Sequence, residues 1–157
     1  GKHNTPGVGP NAHWQHVAAK YDELSRVEAR HMAHRIDDAE HLVVSFGTTG
    51  AFVDYVVDEL RAEGHRVGTF RPVTLWPFPS VALAQAANAP HCSQVLVYEL
   101  NAGQMVDDVR LAVNGAAPVH SIAGVSQDES GMRQGDLLGV DAIRARILAA
   151  IAGKESR

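Results

Sequence analysis

Hydrophobic residues in the middle of this chain change from a continuous run to a helical stripe. Residues 42–44 are apolar and are followed by Gly47, which is typical of a strand buried on both faces. After Gly50 the apolar residues recur every three or four positions, which predicts an amphipathic helix carrying Val53, Val56, Val57 and Leu60. Residues 67–70 then resume an extended pattern. This order predicts a βαβ unit with a right-handed crossover.

The same alternation continues on both sides of this unit. Apolar runs predict strands at 94–98 and 118–122, and periodic stripes predict helices at 80–87, from Gln104 to Asn114 and from 140 to 151. An N-terminal helix capped by Asn11 is predicted as far as residue 29, and residues 124–139 form a polar loop. Residues 30–36 fit either an extension of the first helix or a short edge strand.

Strands that alternate with helices predict an open, mostly parallel sheet with helices on both faces. Loops that follow parallel strands then share one edge of the sheet, where such sheets bind ligands. Three stretches reach this carboxyl edge: residues 47–50 (GTTG), 71–77 (RPVTLWP) and 99–105 (ELNAGQM). The candidate residues for an interface or ligand edge are Gly47, Thr48, Thr49, Gly50, Arg71, Trp76, Glu99, Asn101, Gly103 and Gln104.

We expect Glu99, Asn101 and Gln104 to form one polar cluster with the 47–50 turn. Helix starts expose free amides and a partial positive charge, which suits a carboxylate such as Glu99 or a bound anion. Thr48 or Thr49 is expected to cap the helix that follows the turn. The alternative for Asn101 and Gln104 is that they only tie down their own loop.

The prolines of residues 72–79 predict a stiff loop that carries Trp76 and Phe78. Two interpretations of these rings are equally consistent with the pattern. They project from the fold as an anchor for another domain, or both lie in the core.

Composition narrows the functional classes. A formal charge of −4 without a basic cluster argues against a nucleic-acid partner. No apolar run approaches membrane-spanning length, so we expect a soluble, cytoplasmic protein without a membrane partner. Cys92 is the only cysteine, which excludes an internal disulfide and a cysteine-ligated zinc or iron–sulfur site within this chain.

No complete catalytic or metal site can be assembled from these residues. The 47–50 turn lacks the lysine of a phosphate-binding loop, and Ser45 lacks the flanking glycines of a nucleophile elbow. The pairs His13/His16 and His31/His34 have no evident third ligand. Glu99 could act as a general acid or base, although no partner is evident. The prediction is therefore no catalytic residue and no metal site.

Three linked motifs resemble a known family: DDAEHLVVSFGTTG, RPVTLWPFP and VLVYELNAGQMVDDVRLAVNG. Together they are similar to the C-terminal domain of the alpha subunit of 2-oxoacid:ferredoxin oxidoreductases, most like the branched-chain (3-methyl-2-oxobutanoate) type. That domain resembles the C-terminal domain of transketolase. The resemblance implies an α/β three-layer sandwich, with a mainly parallel sheet and one antiparallel edge strand at residues 30–36.

The implied organisation is a flexible linker at 1–10, an N-terminal helix at 11–29, the transketolase-like domain at 30–152 and a tail at 153–157. The implied enzyme uses thiamine diphosphate, magnesium, iron–sulfur clusters and coenzyme A to convert a 2-oxoacid to an acyl-CoA while reducing ferredoxin. None of these cofactors is expected to bind this chain alone, which is interpreted as a structural and interface domain that is inactive by itself.

The implied partners are a pyrimidine-type domain of the same subunit, a thiamine-binding beta subunit, and ferredoxin through other subunits. Two rival interpretations share the fold. One is the C-terminal domain of a transketolase or of a 2-oxoacid dehydrogenase. The other is a free-standing flavodoxin-like ligand-binding module.

Overall fold

The helices and strands alternate along the chain, as the hydrophobic pattern predicts. A computed structural model describes residues 9–101, 103–122, 125–128, 131–134 and 139–153. The helices are α1 (Pro10–Val27), α2 (Gly47–Ala62), α3 (Ser80–Ala87), α4 (Met105–Val113) and α5 (Val140–Ile151). The strands are β1 (His31–His34), β2 (His41–Val44), β3 (Val67–Pro72), β4 (Gln94–Val97), β5 (Val119–Ser121), β6 (Val125–Asp128) and β7 (Gly131–Gln134).

The main sheet has five strands in the order β1-β3-β2-β4-β5. Strand β2 lies at its centre and pairs in parallel with β3 and β4, while β5 pairs in parallel with β4. Strand β1 pairs antiparallel with β3, with His34 opposite Thr69. Residues 31–34 are therefore an edge strand and not an extension of α1, which confirms the sheet that the family resemblance implies.

Each face of the sheet buries its own apolar cluster, because side chains alternate between the two faces along a strand. Leu42, Val44, Val95 and Val97 pack with helices α3 and α4. Val43 and Leu96, which are opposite each other in register, pack on the other face with α2 and α5. The result is the expected three-layer α/β sandwich.

Helix α1 lies outside this sandwich. None of its residues is buried, and its cap residue is Gly9 rather than the predicted Asn11. Pro10 occupies the first helical position, where its missing N–H costs no hydrogen bond. Of the predicted linker at 1–10, only positions 9 and 10 are among the described residues. Of the predicted tail at 153–157, only position 153 is.

The stretch 124–139 is not simply a loop, because β6 and β7 form an antiparallel pair within it. Val125 lies opposite Gln134 in this pair. The polar composition gives no alternation of apolar and polar residues strong enough to predict two strands. Within the described ranges, no helix has the length and apolar character needed to cross a membrane.

Candidate functional site

The carboxyl edge of the sheet brings the turn after β2 and the loop after β4 side by side, because these two parallel strands are neighbours. Two hydrogen bonds join the chains just past the strands. The Tyr98 amide donates to the Val44 carbonyl at 2.9 Å, and the buried Ser45 hydroxyl donates to the Tyr98 carbonyl at 2.8 Å. Ser45 is thus a core hydroxyl that fixes the spacing of the two loops.

The Glu99 carboxylate binds the amides at the start of helix α4. Its side chain is 1% exposed. One oxygen, Oε2, accepts hydrogen bonds from the amides of Gln104 at 3.1 Å and Met105 at 2.9 Å, and Oε1 accepts one from Val106 at 3.2 Å. These are the amides of the cap residue and of the first helical turn, which have no partner inside the helix. The negative charge also lies at the positive end of the helix dipole.

The loop before α4 is held by its own side chains. Asn101 Oδ1 accepts a hydrogen bond from the Gly103 amide at 2.9 Å, and Asn101 Nδ2 donates to Gln104 Oε1 at 3.2 Å. Gly103 has φ +104°, a conformation that only glycine adopts without strain. These contacts agree with the interpretation in which Asn101 and Gln104 hold their own loop in place.

The first turn of α2 differs from the sequence prediction. The cap residue is Phe46, in extended conformation and without a side-chain cap, so the expectation that Thr48 or Thr49 caps the helix is wrong. Gly47 has φ +60°, and the turn from strand into helix occurs there, so both threonines already lie inside α2. An N-cap side chain accepts a hydrogen bond from an amide two or three residues further on. Thr48 and Thr49 lie inside the helix and so are not placed to make that bond.

Gly50 and Arg71 form the second group at this edge. A side-chain carbon on Gly50 would lie 2.8 Å from Arg71 Cδ, so the arginine side chain crosses directly over the glycine. Arg71 Nη1 lies 3.8 Å from Asp54 Oδ2, and the Thr69 hydroxyl donates to Asp54 Oδ1 at 2.5 Å. Asp54 thus links α2 to two residues of β3.

The candidate residues therefore separate into groups at one edge. Glu99, Asn101, Gly103 and Gln104 form a connected network, and Gly50 and Arg71 form another. In the part of the chain that the structure describes, no hydrogen bond joins the 47–50 turn to the 99–104 loop, and the link between them runs through Ser45 and Tyr98. Their common location follows from the topology, but a single polar cluster is not formed. A functional role for any of these residues stays a prediction.

The two rings of the proline-rich loop behave differently. Trp76 is 63% exposed and makes an edge-to-face contact with Tyr21 of α1, with ring centroids 5.5 Å apart. Phe78 is half-buried and packs against the cluster between the sheet and α3 and α4. Trp76 therefore projects from the fold, whereas Phe78 packs against the core.

A shallow cavity of about 240 Å³ opens between β1, β3 and α2, and sequence patterns did not reveal it. Its polar walls are already paired: His34 Nε2 lies 2.9 Å from Asp58 Oδ1, and Thr69 bonds Asp54. The hydrogen bond from His34 lowers the pKa of Asp58, and the Arg35 guanidinium lowers it further. The only sequence signal for Asp54 is that it follows Gly50 by one helical turn.

His31 and His34 do not converge on a common ligand. His31 and His34 are three residues apart on β1 and so face opposite sides of the strand. The His31 ring stacks on Phe70 at 4.7 Å, while His34 contacts Asp58. Among the described residues, no group of three or more His, Cys, Asp or Glu side chains could hold a metal ion. Burial raises the pKa of the half-buried Cys92 thiol, as expected for a small packing residue.

Comparison with known proteins adds to this geometry. Residues 39–134 match the family of the pyruvate:ferredoxin oxidoreductase core domain II. The match takes in the sheet from β2 to β5, with helices α2, α3 and α4.

Curated relatives are subunits of related oxidoreductases. The ketoisovalerate oxidoreductase subunit VorB of Methanothermobacter thermautotrophicus is 36% identical over 97 residues, which are 62% of this chain and 27% of that subunit. The pyruvate synthase subunit PorA of Thermotoga maritima is 44% identical over 55 residues, which are 35% of this chain and 14% of that subunit. The chain thus spans about a quarter or less of the length of these relatives.

Two solved structures share the fold. A 2-oxoglutarate:ferredoxin oxidoreductase from Magnetococcus marinus superposes with a TM-score of 0.65 and 21% identity, covering 96% of this chain and 25% of that chain. A split-gene transketolase superposes with a TM-score of 0.59 and 16% identity, covering 80% of this chain and 42% of that chain. At these identities the likeness concerns the fold alone.

Proposed function

Because this chain belongs to the pyruvate:ferredoxin oxidoreductase core domain II family, we propose that it is a non-catalytic, interface-forming domain of a thiamine-diphosphate-dependent 2-oxoacid:ferredoxin oxidoreductase. The whole enzyme would decarboxylate a 2-oxoacid oxidatively, form an acyl-CoA and reduce ferredoxin. In this proposal thiamine diphosphate, magnesium, iron–sulfur clusters and coenzyme A bind to other domains and subunits. The domain would work in the cytoplasm.

The observation that carries the non-catalytic part of the proposal is the state of Glu99. Glu99 is a buried carboxylate at the carboxyl edge of the sheet, and a carboxylate is one of the side chains that can act as a general acid or base. Both of its oxygens already accept amide hydrogen bonds from α4. A general acid or base must reach the proton it transfers, and Glu99 is 1% exposed. Its geometry supports a role in holding the loop and not in reacting with substrate.

Calorimetry on the purified chain tests whether the domain binds the cofactor alone. We expect no heat of binding with thiamine diphosphate and magnesium, and no decarboxylation of 2-oxoacids. Binding with a Kd on the order of micromolar, about −8 kcal/mol, would contradict the proposal.

Kinetics of the assembled oxidoreductase test the role of Glu99 directly. With the variant Glu99→Gln we expect kcat within about twofold of the wild type once the complex is folded, because a general acid or base contributes about 10²-fold or more. A loss of that size in a folded complex would make Glu99 catalytic.

For the substrate we propose a branched-chain 2-oxoacid. The support is the similarity to a ketoisovalerate oxidoreductase subunit over 62% of this chain. Initial rates of the assembled enzyme with 3-methyl-2-oxobutanoate, pyruvate and 2-oxoglutarate test this choice. The highest kcat/KM with 3-methyl-2-oxobutanoate is expected, and a higher value with either of the others would overturn it.

A further inference from the structure

An apolar face runs along helix α1 and onto the proline-rich loop. We define it by Trp14, Val17, Tyr21 and Leu24 of α1 together with Leu75 and Trp76 of the loop. The four helix positions are separated by three or four residues and so lie on one side of α1. Trp14 and Trp76 are each 63% exposed, Tyr21 is 47% exposed, and Leu75 is 46% exposed.

The apolar face is continuous from the helix to the loop. The Tyr21 and Trp76 rings meet edge to face at 5.5 Å, which joins the two segments. Trp14 lies two helical turns before Tyr21, about 10 Å away along the axis, with Val17 between them. Polar groups border the apolar face, since Lys20 Nζ lies 5.7 Å from the Tyr21 ring centroid and Arg26 pairs with Glu23.

The apolar face is a contiguous patch and not a set of isolated hydrophobic residues. Aromatic side chains bury about 150–250 Å² each, so the exposed parts of Trp14, Tyr21 and Trp76 alone amount to roughly 350 Å². The largest apolar patch on a typical soluble monomer measures about 300–600 Å² and is often functional. In addition, α1 has no buried residue, and most of the stability of a helix in a protein comes from packing its apolar side. The helix therefore needs a partner surface that the sandwich does not supply.

We propose that the occupant of the apolar face is the remainder of the same oxidoreductase subunit, presenting an apolar surface with polar groups at its margin. This inference rests on the proposed function. The similarity to the ketoisovalerate oxidoreductase subunit covers 27% of that subunit, so most of such a polypeptide lies outside the matched region. A segment joined covalently to this domain has an effective concentration on the order of millimolar, which favours it over a separate partner. The mixed charges beside the apolar face suit a polar rim around an apolar centre.

Photo-crosslinking in the assembled enzyme tests this occupant. The photoreactive aromatic residue p-benzoylphenylalanine is incorporated in place of Trp14 or, in a second variant, in place of Trp76. Leu111 of α4, which is 78% exposed and does not belong to the apolar face, is replaced in the matched control. After irradiation of the purified complex, gel mobility separates crosslinks within one subunit from those between subunits, and mass spectrometry maps them.

The expected result is crosslinking from positions 14 and 76 within the same subunit, to segments outside residues 1–157, with a yield at least about fivefold above that of position 111. Crosslinks to a second copy, crosslinks to a different subunit, or a yield equal to the control would each overturn the inference. The proposed function is judged separately with the unmodified complex. If that complex reduces ferredoxin with a 2-oxoacid while the crosslinks lead elsewhere, only the occupant is wrong.

Discussion

Glu99 Oε2 lies 2.9 Å from the amide nitrogen of Met105, six residues further along the chain, and this contact fixes the start of helix α4 against the end of strand β4. Because the same carboxylate also accepts from Gln104 and Val106, it replaces the cap that the helix otherwise lacks. A loop and a helix that contribute to the candidate edge thus depend on one buried charge.

Substituting Glu99→Gln should lower the free energy of unfolding by about 1.5–3 kcal/mol, because hydrogen bonds to a charged group contribute about that amount. Urea unfolding of the purified chain measures the change. The matched control is Asp108→Asn, which removes an exposed carboxylate from the first turn of the same helix and should cost well under about 1 kcal/mol. Equal losses in the two variants would mean that the buried hydrogen bonds contribute nothing beyond the helix dipole.

At Gly68 of β3 the structure leaves no space for a side chain. A side-chain carbon there would lie 2.6 Å from the carbonyl oxygen of Arg35, which belongs to the backbone and cannot rotate away. Gly68→Ala should therefore destabilise the chain by about 1–3 kcal/mol. Gly139→Ala is the control, since its nearest atoms are 3.8 Å away. If both substitutions have the same effect in urea unfolding, the close approach of β3 to the turn after β1 is incorrect.

The stability of the chain should depend on pH through His41. Burial, and to a smaller extent the nearby His65, lowers the pKa of His41 below 6.5. Its Nδ1 also accepts a hydrogen bond from the Gln94 amide group at 3.0 Å. The unfolded chain then binds a proton at a higher pH than the folded chain does. This contribution to stability is present above about pH 6.5 and is lost as the pH falls through that value toward the folded pKa.

The measurement is the difference in free energy of unfolding between about pH 7.5 and about pH 5.5. We expect a smaller difference for His41→Gln than for the wild type. His120→Gln, at an exposed position on edge strand β5, should retain the wild-type difference. An unchanged pH dependence in His41→Gln would exclude this residue as the source.

Much of the sheet could be predicted because each central strand is a short apolar run that can be recognised from its own residues. Residues 42–44 and 95–97 are continuous apolar runs, and such runs indicate strands buried on both faces. The edge strand at 31–34 was ambiguous, because three of its four residues are exposed and no apolar pattern separates it from α1. Its assignment came from the resemblance to a family and not from its own residues.

The sequence predicted where the candidate site lies, but not most of the side-chain contacts within it. Topology alone brings the 47–50 turn and the 99–104 loop to one edge. The contact of Asp54 with Thr69 and Arg71 depends on how α2 packs on β3, across fifteen or more residues of sequence. The missed cap at Phe46 has a local cause, because Gly47 with φ +60° starts the helix before the threonines. Side-chain partners of this kind follow from tertiary packing, which a sequence pattern does not encode.

Tyr98 offers a test of a buried polar atom. Its side chain is fully buried, and among the described residues its hydroxyl has no hydrogen-bond partner. Burial raises the pKa of this hydroxyl, which is the direction expected for a group removed from water. Tyr98→Phe should therefore leave the free energy of unfolding unchanged or raise it by up to about 1 kcal/mol. Tyr55→Phe, which removes an exposed hydroxyl that hydrogen-bonds Glu59, is the control. A clear loss in Tyr98→Phe alone would reveal a partner for the buried hydroxyl.

The last prediction separates the two rings of the proline-rich loop by their effect on stability. Phe78 packs against the core beside α3, so Phe78→Ala should destabilise the purified chain by about 2 kcal/mol or more, as a half-buried aromatic ring leaves a cavity. Trp76 is 63% exposed and its ring contacts that of Tyr21, so Trp76→Ala should cost only about 0.5–1.5 kcal/mol, the typical contribution of an aromatic pair.

A double-mutant cycle with Tyr21→Ala isolates the Tyr21–Trp76 contact, because the two rings interact directly and their effects should not add. If Trp76→Ala alone destabilises the chain as much as Phe78→Ala does, Trp76 belongs to the core and the apolar face loses its centre. If instead the cost of Trp76→Ala disappears in the Tyr21→Ala background, the tryptophan holds only α1, and its exposed side remains available for another surface.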